Sequence, residues 1–309
     1  MLYYGADWLV KGSSSLARNI GLQPVVIGLT VVAFGTSTPE LVVSIVSSIK
    51  GKSMIAVGNI IGSNICNIAL VLGMTSIFQP LKSSPSVIRR DIPIMLGISI
   101  YLLLISLNST IGRIEGITLI FGILLYVYYN YSIVARKRCQ GVEAITCDLE
   151  DISYISSRPR QLSYIGVGIA GVVIGAELLI DSAVKIMEIF NVSEKFIGLT
   201  VVAFGTSLPE LATSVVAAMR KELDISLGNL IGSNVFNILA VLGAAALVKP
   251  IQIPGGFVQS GLLADYVVMT AISTFPLIMM RKTFTLSRKD GGVLLLSYIG
   301  YLVYLVLKS

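Results

Sequence analysis

The sequence contains no histidine, a single tryptophan and three cysteines in 309 residues. Cys66, Cys139 and Cys147 form no pair at metal-ligand spacing, so zinc and haem chemistry have almost nothing to bind. Charge is scarce as well: 13% of residues are charged, against roughly 25% in a soluble globular domain. No nucleophile–base pair and no phosphate-binding glycine loop is visible, which leaves an enzyme reading without support. The opening Met-Leu-Tyr-Tyr lacks the basic leader of a cleavable signal. The net charge of +6 sits in short loops, where membrane proteins use it to set orientation, so it is not a nucleic-acid signal.

What remains is apolar: 54% of the chain is hydrophobic, in continuous runs. Runs of about 20 residues match a hydrocarbon layer roughly 30 Å thick, and alternating barrel strands are not seen. The chain therefore reads as an all-α membrane protein. Ten transmembrane helices are predicted at 1–20, 24–49, 54–78, 91–108, 112–135, 163–189, 194–219, 225–248, 258–281 and 290–308.

An internal repeat organises these helices. Shifted by 170 positions, Ile27–Ser37 falls on Ile197–Ser207 without a mismatch, and residues 27–80 match 197–250 at 29 of 54 positions without a gap. The predicted units are a first repeat (1–135, with its motif at 27–80), a linker (136–162) and a second repeat (163–309, with its motif at 197–250). Five crossings per repeat force the second copy to enter from the opposite side, giving two inverted five-helix repeats. With both termini outside and the 136–162 loop cytoplasmic, fifteen loop Lys and Arg residues lie inside and six outside, as orientation requires. Mapped back by 170, Ser163 falls before Met1, so the first helix is expected to be about eight residues shorter than its twin, through a trimmed N-terminus or an upstream start.

Within the repeats lie Gly35-Thr-Ser-Thr-Pro-Glu40 and Gly205-Thr-Ser-Leu-Pro-Glu210. Glu40 is 13 residues from Ile27 and 9 from Ile49, which places it near mid-membrane. A charge there costs at least about 2.5 kcal/mol, so it must face the bundle interior and find a partner. Pro39 and Pro209 each remove an N–H and loosen the helix at the preceding glycine, exposing carbonyls. With Thr36, Ser37, Thr206 and Ser207, the carbonyls and carboxylates make a cluster of hard oxygen donors of the kind that binds Na+ or Ca2+. The second element is Gly58-Asn-Ile-Ile-Gly-Ser-Asn-Ile-Cys-Asn67, with its twin at Gly228–Asn237. Asn59, Ser63 and Asn67 share one helix stripe, as do Asn229, Ser233 and Asn237.

The plainer readings are interhelical packing for Gly58 and Gly62, and interhelical hydrogen bonding for Asn59, Asn64, Asn229 and Asn234. A structural salt bridge for the glutamates is disfavoured, because their helices and the next ones carry no Lys or Arg in their interiors.

The doubled GTS-x-PE and GN-x-x-GSN-x-x-N segments resemble the two repeats of the sodium/calcium exchanger family in its short prokaryotic and archaeal form. The resemblance implies a fold in which the second, third, seventh and eighth helices surround a diamond of cation positions. By motif position it implies ligands from the Ala33 carbonyl, Thr36, Ser37, Glu40, Ser63 and Asn67, and from the Ala203 carbonyl, Thr206, Ser207, Glu210, Ser233 and Asn237. It further implies antiport of three Na+ per Ca2+ by alternating access, with the first and sixth helices sliding on the core. Na+ and Ca2+ are then transported ions, and no cofactor and no obligate protein partner are expected. Some relatives, including potassium-dependent exchangers, carry Asp where this chain has Asn237; here the site charge is at most −2, which argues against potassium coupling. The rival readings are a Ca2+/H+ antiporter of the same superfamily and a passive cation channel.

Overall fold

Apolar runs bounded by glycine, proline or charged turns fold into helices throughout the computed structural model, which describes residues 1–139, 155–189, 203–253 and 255–308. In chain order these are α1 (Leu2–Asn19), α2 (Pro24–Thr36), α3 (Thr38–Ile49), α4 (Ser53–Phe78), α5 (Ile92–Ser106), α6 (Arg113–Cys139) and α7 (Arg158–Ile189). They continue with α8 (Ala203–Thr206), α9 (Leu208–Met219), α10 (Leu223–Val248), α11 (Leu262–Met280) and α12 (Arg288–Lys308). Four two-residue strands form two antiparallel ribbons: β1 (Leu81–Lys82) pairs with β4 (Thr285–Leu286), and β2 (Thr110–Ile111) with β3 (Ile251–Gln252). Each ribbon joins a loop of the first half to a loop of the second.

Among the described residues six helices are long and apolar enough to cross a membrane, or seven if the bent α2–α3 pair is one span. Three of the ten expected spans are outside this count for separate reasons. α1 carries Asp7, Lys11 and Arg18 within its 18 residues, α5 continues a π turn, Val87–Asp91, that carries Arg89, Arg90 and Asp91, and the start of the helix expected over 194–219 lies outside the described residues. Two boundaries differ from expectation. The helix expected over 24–49 is bent by 46° at Ser37, and the 136–162 linker is shorter than expected. α6 runs on to Cys139 and α7 already begins at Arg158, since Lys and Arg are good helix formers; residues 140–154 lie outside the described residues. α1, at 18 residues, is shorter than the 32-residue α7, in the direction the repeat predicts.

α4 and α10 form the centre: 78% of the apolar window of each is buried, against 17–33% for α6, α7, α11 and α12. The outer helices expose Phe121, Leu124, Tyr128, Leu296 and Val303, an apolar coat that suits lipid and not water. α2 crosses α10 at backbone contact. A Cβ on Gly228 would lie 2.6 Å from the Val25 carbonyl oxygen, and one on Gly28 would lie 2.8 Å from that of Ile225. Gly28 and Gly228 thus carry small-residue packing between α2 and α10; Gly58 is exposed, and among the described residues nothing lies within 4 Å of a Cβ added to it.

α1 and α7 share a separate, smaller apolar cluster with the ends of α2, α9 and α10. They meet at Gly5 and Gly168, whose added Cβ atoms would fall 2.7 Å and 2.6 Å from Val172 N and Leu9 N. α1 is also held by charge. Asp7 pairs with Lys11 at 3.0 Å and Arg220 at 2.5 Å. Arg18 reaches Glu222 at 2.8 Å, and Ser14 donates to the same carboxylate. Asp7 is buried in this pairing and Glu177 is exposed on α7, so neither acidic side chain belongs to the central cluster.

Candidate cation site

The chain breaks twice at the same motif. Ser37 separates α2 from α3 with φ −82° and ψ 10°, and Ser207 separates α8 from α9 with φ −87° and ψ 3°. In both cases the proline two residues on occupies the first turn of the new helix, where its missing N–H costs nothing. The break therefore falls at the serine, two residues after the glycine at which the proline was expected to loosen the helix. Glu40 and Glu210 then sit in the first turns of α3 and α9, where the helix dipole favours negative charge.

Both glutamates are fully buried, and each acts on the other electrostatically. Glu210 is held from both halves of the chain: Ser37 donates to its Oε1 at 3.0 Å and Ser233 at 3.3 Å. Glu40 has Ser63 and Thr206 beside it, yet neither of its carboxylate oxygens completes a hydrogen bond among the described residues. The hydroxyls link the halves directly. Thr36 lies 3.4 Å from Ser233 and Thr206 lies 3.5 Å from Ser63, and each threonine donates to the asparagine one turn before that serine, Asn229 at 3.1 Å and Asn59 at 3.4 Å. The ion pairs among the described residues involve neither glutamate.

The Ala33 carbonyl accepts from Ser37 N at 3.0 Å and from the Thr36 hydroxyl at 3.4 Å. In the second copy Ser207 N donates to the Phe204 carbonyl at 3.2 Å.

Asn67 and Asn237 lie one turn beyond Ser63 and Ser233, where α4 and α10 widen into π turns over Cys66–Leu72 and Asn237–Leu242. Such widenings recur at functional sites. Six buried oxygens of these side chains have no hydrogen-bond partner among the described residues: Glu40 Oε1 and Oε2, Glu210 Oε2, Asn67 Oδ1, Asn237 Oδ1 and Ser207 Oγ. Buried polar groups are normally satisfied, so this set is conspicuous. All six are hard donors, of the number and type that Ca2+ takes. No cluster of three or more His, Cys, Asp or Glu residues exists among the described residues. The charge is therefore that of two carboxylates, and the other donors are neutral.

Asn59 and Asn229, read from sequence as interhelical ties, do act as ties. Asn59 reaches the Glu40 carbonyl at 3.3 Å and Ser44 at 3.0 Å, and Asn229 reaches Ser214 at 3.1 Å. Sequence reasoning missed Ser44 and Ser214. Their signal was available, since they lie 170 residues apart and four residues beyond the glutamates.

Fold and site together define a class: a polytopic helical membrane protein with a buried, oxygen-rich centre built around two carboxylates from two halves of the chain. The sequence signature described as "Sodium/calcium exchanger protein" matches residues 1–132 and 161–307, and the chain belongs to that family, whose members are antiporters. The "Sodium/calcium exchanger MaX1" of Methanosarcina acetivorans is 31% identical, covering 98% of this chain and 95% of that protein. The "Putative antiporter CaxA" of Alkalimonas amylolytica is 35% identical over 100% of this chain and 96% of its own length. A solved structure of the sodium-calcium exchanger NCX_Mj superposes with a TM-score of 0.82 at 32% identity, covering 98% of this chain and 94% of that one.

Proposed function

We propose that the protein is a secondary active antiporter that exchanges Na+ for Ca2+ by alternating access, three Na+ per Ca2+. The observation that carries this reading is the set of six buried oxygens with no protein partner among the described residues, centred on Glu40 and Glu210. A mobile cation is the partner that their chemistry calls for. In this reading the ligands are Glu40, Glu210, Asn67, Asn237, Thr36, Ser37, Thr206, Ser207, Ser63 and Ser233, with the carbonyls of Ala33 and Ala203. The two carboxylates balance one Ca2+. Na+ competes for the same oxygens, so one ion species enters as the other leaves. The reciprocal hydrogen bonds between Asn64 and Asn234, 170 residues apart, support a pairing of two inverted five-helix repeats, 1–135 and 163–309; in this reading ten helices cross the membrane, a cytoplasmic linker joins the repeats and both termini lie outside.

Ca2+ flux into proteoliposomes under separately imposed Na+, K+ and H+ gradients tests the assignment. Uptake follows the Na+ gradient and not the K+ gradient. Uptake driven by a pH gradient without Na+ would replace this reading with Ca2+/H+ exchange, and flux independent of any counter-ion gradient would replace it with a channel. Glu40→Gln and Glu210→Gln each abolish Na+-driven uptake; wild-type rates in either variant would sink the site.

A further inference from the structure

Asn67 and Asn237 each carry an amide that can present either oxygen or nitrogen, and only the oxygen attracts a cation. We infer that Asn64 and Asn234 are positioning residues that fix this choice, each locking the partner repeat's ligand amide with its oxygen toward the site. The inference rests on the cation site proposed above and deepens it.

Two amide nitrogens here cannot be exchanged by a flip. Asn64 Nδ2 donates to the backbone carbonyl of Asn234 at 3.4 Å, and Asn234 Nδ2 donates to that of Asn64 at 3.3 Å. A carbonyl accepts only, so the nitrogens must occupy these positions. Each side chain's remaining oxygen then needs a donor. Asn64 Oδ1 receives Asn237 Nδ2 at 3.1 Å, and Asn234 Oδ1 receives Asn67 Nδ2 at 3.1 Å. The nitrogens of Asn67 and Asn237 are thereby engaged, and their Oδ1 atoms are the ones without a partner among the described residues. All four side chains are at most 1% exposed, so water does not compete. The same chain of bonds suits the amides this chain carries at 67 and 237, because an ionised carboxylate there would set oxygen against Asn234 or Asn64 Oδ1. Asn64 and Asn234 are 170 residues apart, as are Asn67 and Asn237, so the device occurs once from each repeat and ties the two together.

The test is a double-mutant cycle on the half-saturating Ca2+ concentration for Na+-driven uptake in proteoliposomes. Asn64→Leu raises it roughly 10- to 100-fold, as loss of a residue that orients a metal ligand typically does. Asn237→Ala raises it too, and Asn64→Leu adds no further loss in the Asn237→Ala background, because Asn64 acts through Asn237. Ser48→Ala removes a different cross-repeat tie, to the carbonyls of Ala245 and Lys249, and leaves the value unchanged. Additive losses in the double variant, or an unaltered value in Asn64→Leu, would overturn the positioning role. An unaltered value in Asn237→Ala would instead overturn the site itself. Where Asn64→Leu fails to fold, the mirror cycle of Asn234→Leu with Asn67→Ala decides in the same way.

Discussion

Ser37 donates to Glu210, while its twin Ser207 has no partner for its hydroxyl among the described residues. Both serines, like both glutamates, were legible from the doubled motif. Their unequal bonding was not, because it depends on which atoms the fold sets opposite each hydroxyl. Under the proposed function, Ser37→Ala removes both a ligand oxygen and the hydroxyl that orients Glu210. A hydrogen bond to a charged group is worth about 1.5–3 kcal/mol, so the half-saturating Ca2+ concentration rises about tenfold or more, as measured by uptake under a fixed Na+ gradient. Gly228→Ala acts at the same scale on stability. Its new Cβ would meet the Val25 carbonyl oxygen at 2.6 Å, and such overpacking costs about 1–3 kcal/mol. A lowered unfolding temperature in detergent is the expected readout.

At the scale of elements, the helix breaks decide what the glutamates face. Pro39 and Pro209 mark the breaks in sequence, but each break falls at the preceding Ser37 or Ser207, since proline sits comfortably in a first turn. Pro39→Ala favours a continuous helix across the 46° bend. The expected outcome is weaker Ca2+ uptake with an equal or higher unfolding temperature, the pattern of a functional break relieved. The ties of α1 make a second prediction. Glu222 is buried, with Arg18 and Ser14 as partners, so Arg18→Ala leaves a buried carboxylate without its cation. A loss of about 3 kcal/mol is expected for a buried pair, reduced because Arg18 is partly exposed, and thermal unfolding measures it. This pairing could not be read from sequence: Arg18 and Glu222 lie 204 positions apart, and loop charge is explained equally well by orientation.

For the whole molecule, the proposed orientation places Lys50 outside and Lys282 inside. With Cys66, Cys139 and Cys147 replaced by serine, Lys50→Cys is expected to react with a membrane-impermeant thiol reagent added to intact cells. Lys282→Cys reacts only after the membrane is opened. The reverse pattern would invert the topology.

By itself the sequence determined the membrane class, the doubling at an offset of 170 and the identity of the two central carboxylates. Hydrophobic run length and self-similarity are local properties of a chain, and a charge in an apolar run identifies itself. Only the tertiary structure decided which oxygens are left without protein partners and which amide faces which. Those outcomes depend largely on hydrogen bonds between the two halves of the chain, where packing geometry and not composition selects the partner. The two asparagines of each GSN-x-x-N segment show the division: the spacing put one on the ligand stripe and set the other aside, and the fold joined them across the repeats.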